Sequence, residues 1–210
     1  MILRVVSVSL CSFPVFLLAD STDMSIALPQ LAPAGHAKLI IDGEHFRTIV
    51  LDGICGAKTS VDIMTADFKA MLVPDGFTRR ARSIVEIFRV LANKGVEVRL
   101  LHAGVPSGPA LRELKRELPT GLTIRRCPRL HSKAVLIDSC RMYLGSANLT
   151  GAGLGAKADG KRNFEMGIWT ESPAMIDAVS EQFNQLWEGA HCKTCKRRDV
   201  CPVPLEEPAL

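Results

Sequence analysis

From residue 37 onward the chain alternates two apolar periodicities, and that alternation limits its fold more than any other feature. "AKLII" (37–41), "SVDIMTA" (60–66), "VEVRLLHAG" (96–104) and "LTIRRC" (122–127) are short aliphatic runs of strand length. Between them apolar residues recur at helical spacing. Phe46, Ile49, Val50 and Ile54 follow Asp42, a candidate N-cap, and Gly56 ends that run. Ile84, Ile87, Phe88 and Leu91 precede Gly95, and a shorter set comprises Leu111, Leu114 and Leu118. A last helix is predicted from Pro173 to Gly189, with Ile176, Val179, Phe183 and Leu186 facing inward. Repeated strand–helix–strand units of this kind specify an α/β fold, a mixed β-sheet flanked by helices on both faces. A basic loop (67–83), an apolar hairpin (127–150), a glycine-rich loop (Gly151–Gly160) and the strand "NFEMGIWT" (163–170) complete the pattern.

The chain of 210 residues is 47% hydrophobic, which suits one compact domain with short appendages. The expected division is an N-terminal apolar segment (1–36), a catalytic domain (37–189) and a cysteine-containing tail (190–210). A net charge of +4 permits an anionic substrate without requiring one. One tyrosine and two tryptophans are too few for an extended base-stacking platform. The N-terminal "MILRVVSVSLCSFPVFLLADS" has the charge and apolar run of a secretory signal. Pro14, the serines and the poor cleavage site at Leu17-Leu18-Ala19 favour a buried strand instead, and the expected compartment is the cytoplasm.

The hairpin carries the chemistry. His131-x-Lys133 is followed by Asp138 and then by Gly145-Ser146-x-Asn148. Residues two apart on a strand share a face, so His131 and Lys133 should project together, as should Ser146 and Asn148 on the return strand. Gly145 would remove a side chain where an anion approaches the backbone. One imidazole ringed by an ammonium, an amide and a hydroxyl suits a phosphodiester: a nucleophile with fixed donors for oxygens that gain charge. Asp138 has the opposite parity and should point away, as a structural or supporting group within the motif. A nucleophilic histidine must be neutral and held in one tautomer, which calls for a carboxylate partner. Glu165, two residues after Asn163, is the candidate. Arg126 and Arg129 lie just before His131 and are candidate contacts to a substrate backbone. Arg79, Arg80, Arg82 and Arg125 read as a solvated face, and Gly151–Gly160 as either a flap over the site or an insertion.

This spacing resembles the phospholipase D superfamily, in its branch with a single motif, and the resemblance extends from residue 37 to 189. It implies a phosphodiesterase in which His131 forms a phosphohistidine, Lys133, Ser146 and Asn148 bind the phosphoryl oxygens, Asp138 completes the motif and Glu165 orients the histidine. No catalytic cofactor is implied, and no paired-carboxylate cluster is present to hold a metal. The remaining histidines, His36, His45, His102 and His191, have no lysine two residues on. Two-step chemistry needs a second histidine as proton donor, so a homodimer pairing two motifs is expected. Nucleic acid is the favoured substrate. A phospholipase or phosphatidyltransferase, and a non-catalytic nucleic-acid-binding module, are the alternatives.

The tail "HCKTCKRRDVCP" sets Cys192-x₂-Cys195-x₅-Cys201 beside His191. Three thiolates with a fourth ligand, His191 or Cys127, suit structural zinc or an iron–sulfur cluster. An oxidised loop is the competing reading.

Overall fold

The computed structural model describes residues 37–74, 80–114, 116, 118–197 and 200–201. The N-terminal apolar segment, and with it the choice between signal and strand, lies outside the described residues, as does Arg79. Among the described residues nine strands form: β1 (Ala37–Ile41), β2 (Ser60–Thr65), β3 (Leu72–Pro74), β4 (Ala81–Ser83), β5 (Glu97–His102), β6 (Leu122–Arg126), β7 (Ala134–Ile137), β8 (Arg141–Gly145) and β9 (Met166–Thr170). Seven of them build one mixed sheet in the order β1-β9-β8-β7-β2-β5-β6, and β3 and β4 pair separately. β2, β5 and β6 run parallel, while β7 joins β2 antiparallel and begins an antiparallel run through β8 and β9 to β1.

Strand parity divides the core into two layers. Val61, Ile63, Val98, Leu100, Ile124, Val135 and Ile137 point to one face. There they meet the inward sides of α1 (Ile84–Asn93) and α2 (Gly108–Leu114), and of a π-helical segment, Phe46–Gly53, that runs into a 3₁₀ turn at Ile54–Gly56. Met64, Leu101 and Ala134 point to the opposite face, against Phe183 and Trp187 of α3 (Pro173–Trp187). Leu136 and Met142 meet Ile176 of the same helix. The α/β sandwich with helices on both faces is therefore as the sequence specifies. Among the described residues, no helix is long and apolar enough to cross a membrane.

α1 starts where Ser83 Oγ accepts the backbone N–H of Glu86 (3.1 Å) and ends at Gly95, whose φ of +87° admits glycine most readily. Asp42 does not cap the first helix. That helix begins after His45 without a side-chain cap, because the Asp42 carboxylate is engaged elsewhere, by the backbone N–H of Glu165 (2.9 Å). Within the basic loop, β3 and β4 pair antiparallel. The glycine-rich loop is a knit turn: Gly153 N–H donates to Thr150 Oγ1 (2.9 Å), Asn163 N–H to the Ala152 carbonyl (3.1 Å), and Leu154 is buried. Those bonds favour an ordered insertion over a flap.

Candidate active site

The β7–β8 hairpin holds motif residues at both ends, and the two ends differ. At the turn, Asp138 and Ser139 adopt positive φ (53° and 54°). Asp138 Oδ1 accepts the backbone N–H groups of Lys58 (2.9 Å), Thr59 (2.7 Å) and Ser60 (3.1 Å), and the Thr59 hydroxyl (3.1 Å). Burial alone would raise this carboxyl's pKa, but the four donors outweigh it and hold the value below the usual range. Arg141 Nη2 lies 3.5 Å from Oδ2. Asp138 thus ties the hairpin turn to the chain entering β2, the structural role its parity implies.

At the open end, His131 and Lys133 precede β7 rather than lying in it. They still meet: Lys133 Nζ is 3.2 Å from His131 Nδ1 and 3.3 Å from Nε2, and donates to the His131 carbonyl (2.6 Å). His131 is exposed, whereas Lys133 is only 9% exposed. Burial pushes the ammonium's pKa down, and the nearby Glu165 carboxylate offsets part of that.

Ser146 and Asn148 likewise lie just past β8. Ser146 Oγ donates to Glu165 Oε2, and Glu165 Oε1 accepts Asn163 Nδ2 (3.0 Å). Asn148 Oδ1 accepts the Asp67 backbone N–H (3.0 Å) and the Thr65 hydroxyl (3.3 Å), so its amide nitrogen is the end left for a ligand. Glu165 is buried and joined to Ser146 and Asn163, while the polar neighbour of the His131 ring is Lys133. The carboxylate therefore organises the hydroxyl and balances the ammonium's charge.

Gly145 has a different cause from the expected anion approach. A Cβ there would collide with Tyr143 Oη and come within 2.6 Å of Gly167 Cα and 2.7 Å of the Met166 carbonyl. The β8–β9 crossing requires the glycine.

The sequence marked Asp42 only as a candidate helix cap and did not mark Tyr143. The Tyr143 hydroxyl accepts the Ala147 backbone N–H (3.0 Å) and so fixes the turn between Ser146 and Asn148. Burial raises this phenol's pKa to about 12, which keeps it neutral. Asp42 brackets Glu165: its N–H donates to the Glu165 carbonyl (2.8 Å) while its carboxylate accepts the Glu165 N–H. His45 Nδ1 donates to the Asp42 carbonyl (2.9 Å), and the ring packs edge-on to Tyr143. A sequence signal existed only for Asp42, as a polar residue directly after a strand.

Of the two candidate arginines, Arg129 reaches the site and Arg126 is committed. Arg126 Nε donates to the Ala103 carbonyl (3.0 Å), whereas Arg129 borders a cavity of about 310 Å³ together with His131. A second cavity, about 390 Å³, lies beside Asn148 and Asn163 and includes Lys69 and Lys157.

The tail folds back onto the turn before His131. Arg197 Nη1 donates to the Pro128 carbonyl (3.3 Å), and Arg125 Nη1 to the Trp187 carbonyl (2.6 Å). The expected ligand set of His191, Cys192, Cys195 and Cys201 does not converge. Among the described residues, no three His, Cys, Asp or Glu side chains are placed to hold a metal ion. Cys192 and Cys127 instead pack against the Leu130, Phe183 and Trp187 cluster. Cys195 accepts from the Arg197 N–H and from Arg129, which lower its thiol pKa.

The model of the family described as "Cardiolipin synthase, PLD-like domain" matches residues 50–187. Among proteins of curated function, none matches the sequence. Among solved structures, NucT from Helicobacter pylori is similar at 16% identity and a TM-score of 0.54, over 73% of this chain and 96% of that one. Nuc from Salmonella typhimurium, a phospholipase D family member, is similar at 21% identity and 0.53, over 73% and 95%. Polyphosphate kinase from Porphyromonas gingivalis aligns at 15% identity and 0.50, over 83% of this chain but 27% of its own. These likenesses show a shared fold. With residues 50–187 matched and the His-x-Lys and Gly-Ser-x-Asn elements gathered at one end of a single hairpin, the chain belongs to the phospholipase D superfamily.

Proposed function

We propose that the protein is a metal-independent phosphodiesterase that cleaves nucleic acid through a phosphohistidine on His131. The observation that carries this reading is an exposed imidazole in contact with a buried ammonium of lowered pKa, beside a hydroxyl that a buried carboxylate holds. In the first step a ring nitrogen of His131 attacks phosphorus, and the P–N bond forms as a P–O bond breaks. The departing oxygen takes a proton from the His131 of a second copy. Water then attacks phosphorus, returns its proton to that second histidine and breaks the P–N bond. Lys133, the Asn148 amide and Ser146 supply donors for the phosphoryl oxygens as their charge grows. NucT and the phospholipase D family member Nuc share the fold, and the cation-bearing cavities beside the site suit a polyanion that extends past the scissile bond.

The second copy follows from the one-motif sequence. A row of exposed apolar residues borders the site: Leu39 pairs with Ile168 and Ile41 with Met166, and Leu144 lies beyond Ile168. In this reading the partner covers that face. Chains mixed with a His131→Asn excess should lose activity faster than in proportion to the wild-type fraction. Strict proportionality would remove the shared site.

A further inference from the structure

We infer that the cavity beside His131 is a pocket for one unpaired nucleobase adjoining the scissile phosphate. The inference rests on the nuclease reading and narrows it to single strands. The cavity, about 310 Å³, sits at the lower bound of sites that hold one small organic group, roughly 300–1,000 Å³. It has room for a single ring system and not for a base pair.

Its three walls come from separate parts of the chain. The turn before β7 contributes Leu130 and His131, α3 contributes Gln182 and Leu186, and the tail contributes His191 and its cysteines. Gln182 and Leu186 are four residues apart, so they lie on one helix face and look into the same space. Leu130, Leu186, Cys127 and Cys192 are apolar surfaces on which the face of a base can rest. Gln182 offers both a donor and an acceptor, the pair needed to read a base edge, and the His191 imidazole adds a further polar group. Arg129 stands where the adjoining phosphate would lie. A nucleobase combines apolar faces with a polar edge, and the lining matches that combination. An acyl chain would set Gln182 and His191 against hydrocarbon, and an isolated phosphate would have no use for the leucines. A base enters such a pocket only when unstacked, which a single strand permits and a duplex resists.

The tail is thereby given work. The Arg197–Pro128 hydrogen bond holds it as the third wall.

The test uses the full chain with labelled single-stranded homopolymers, the same strands annealed, bis(p-nitrophenyl) phosphate, and phosphatidylcholine and cardiolipin vesicles. Leu186→Trp fills the cavity, and Gln182→Ala and His191→Ala, at exposed positions, guard against misfolding of the first variant. Single strands should be cleaved about tenfold faster than duplexes, and Leu186→Trp should lower kcat/KM on single strands by about tenfold or more. Hydrolysis of bis(p-nitrophenyl) phosphate should be unchanged, and Gln182→Ala should flatten any preference among homopolymers. Equal losses on the small diester, or cleavage of single strands untouched by all three variants, would overturn the pocket and leave the nuclease reading intact. Hydrolysis of the small diester that depends on His131, without cleavage of any polynucleotide, would overturn the nuclease reading itself. Vesicle hydrolysis suppressed by Leu186→Trp would reassign the cavity to lipid.

Discussion

The two ends of one hairpin show how a single motif divides its labour. At the turn, Asp138 satisfies its oxygens with backbone donors from the loop before β2, and its pKa falls. At the open end, Lys133 is buried without a directly bonded carboxylate, and its pKa falls for the opposite reason, desolvation of the charged form. A lowered pKa favours the charged carboxylate and disfavours the charged ammonium. The turn is therefore relaxed and the open end is poised. Structural groups are recognised by complete hydrogen bonding, and chemical ones by what is left over.

The strongest break in this comparison is His131→Asn. It should reduce phosphodiester hydrolysis by about 10³-fold or more while leaving the thermal midpoint nearly unchanged, since the ring is exposed. Rates with and without EDTA, beside a melting curve, check both halves. Substantial residual turnover would move the nucleophile elsewhere.

Asp138→Ala should do the reverse. Loss of a carboxylate that collects backbone donors should cost about 2 kcal/mol of stability, while folded molecules keep most of their turnover per site. The sign with pH follows from the lowered folded pKa. Asp138's contribution is present above its unfolded pKa of about 3.9 and is lost as pH falls through the folded value. Denaturant midpoints measured from neutral to acid pH should show a decline that the variant lacks.

Much of this division was legible in the sequence, and the misses have physical causes. Opposite strand parity separated Asp138 from His131, and apolar spacing located β2, β5, β6, α1 and α3. The strands proved shorter than their apolar text: His131, Lys133, Ser146 and Asn148 sit on the loops flanking β7 and β8, where the backbone can turn polar groups into one space. Gly145 looked like an anion approach because spacing carries no information on the Tyr143 ring and Gly167 across the sheet. The tail cysteines had metal-like spacing, but spacing does not reveal that Cys192 packs on Trp187's cluster while Cys195 meets Arg129. The Asp42 bracket around Glu165 joins residues far apart in the chain, and no local pattern marks that pairing.

A subtler probe of the open end is its alkaline limb. If Lys133 must be charged to bind the phosphoryl oxygens, kcat/KM should fall as pH rises through its lowered pKa. That decline should begin below the ordinary lysine value of about 10.4. The same shift has a stability sign: at neutral pH the fold bears the cost of a desolvated ammonium, and the cost is relieved as pH rises through the folded value. A pH–rate profile on bis(p-nitrophenyl) phosphate reads the limb, and activity held level past the ordinary lysine value would refute it.

The smallest expected effect sharpens the comparison most, because it tests whether the open end is held from behind. Tyr143→Phe keeps the buried ring, its contact with His45 and the ring's packing over Gly167, and removes only the oxygen that accepts the Ala147 N–H. An unsatisfied backbone N–H in a buried turn costs about 1 kcal/mol. The turn it leaves loose is the one that places Ser146 against Glu165 and Asn148 against Thr65 and Asp67. Tyr143→Phe should therefore lower kcat a few-fold, leave KM for a small diester nearly unchanged and shift the melting point by a few degrees. A purely structural tyrosine would shift melting alone. Unchanged kcat in the folded variant would show that the donors at the open end position themselves without it.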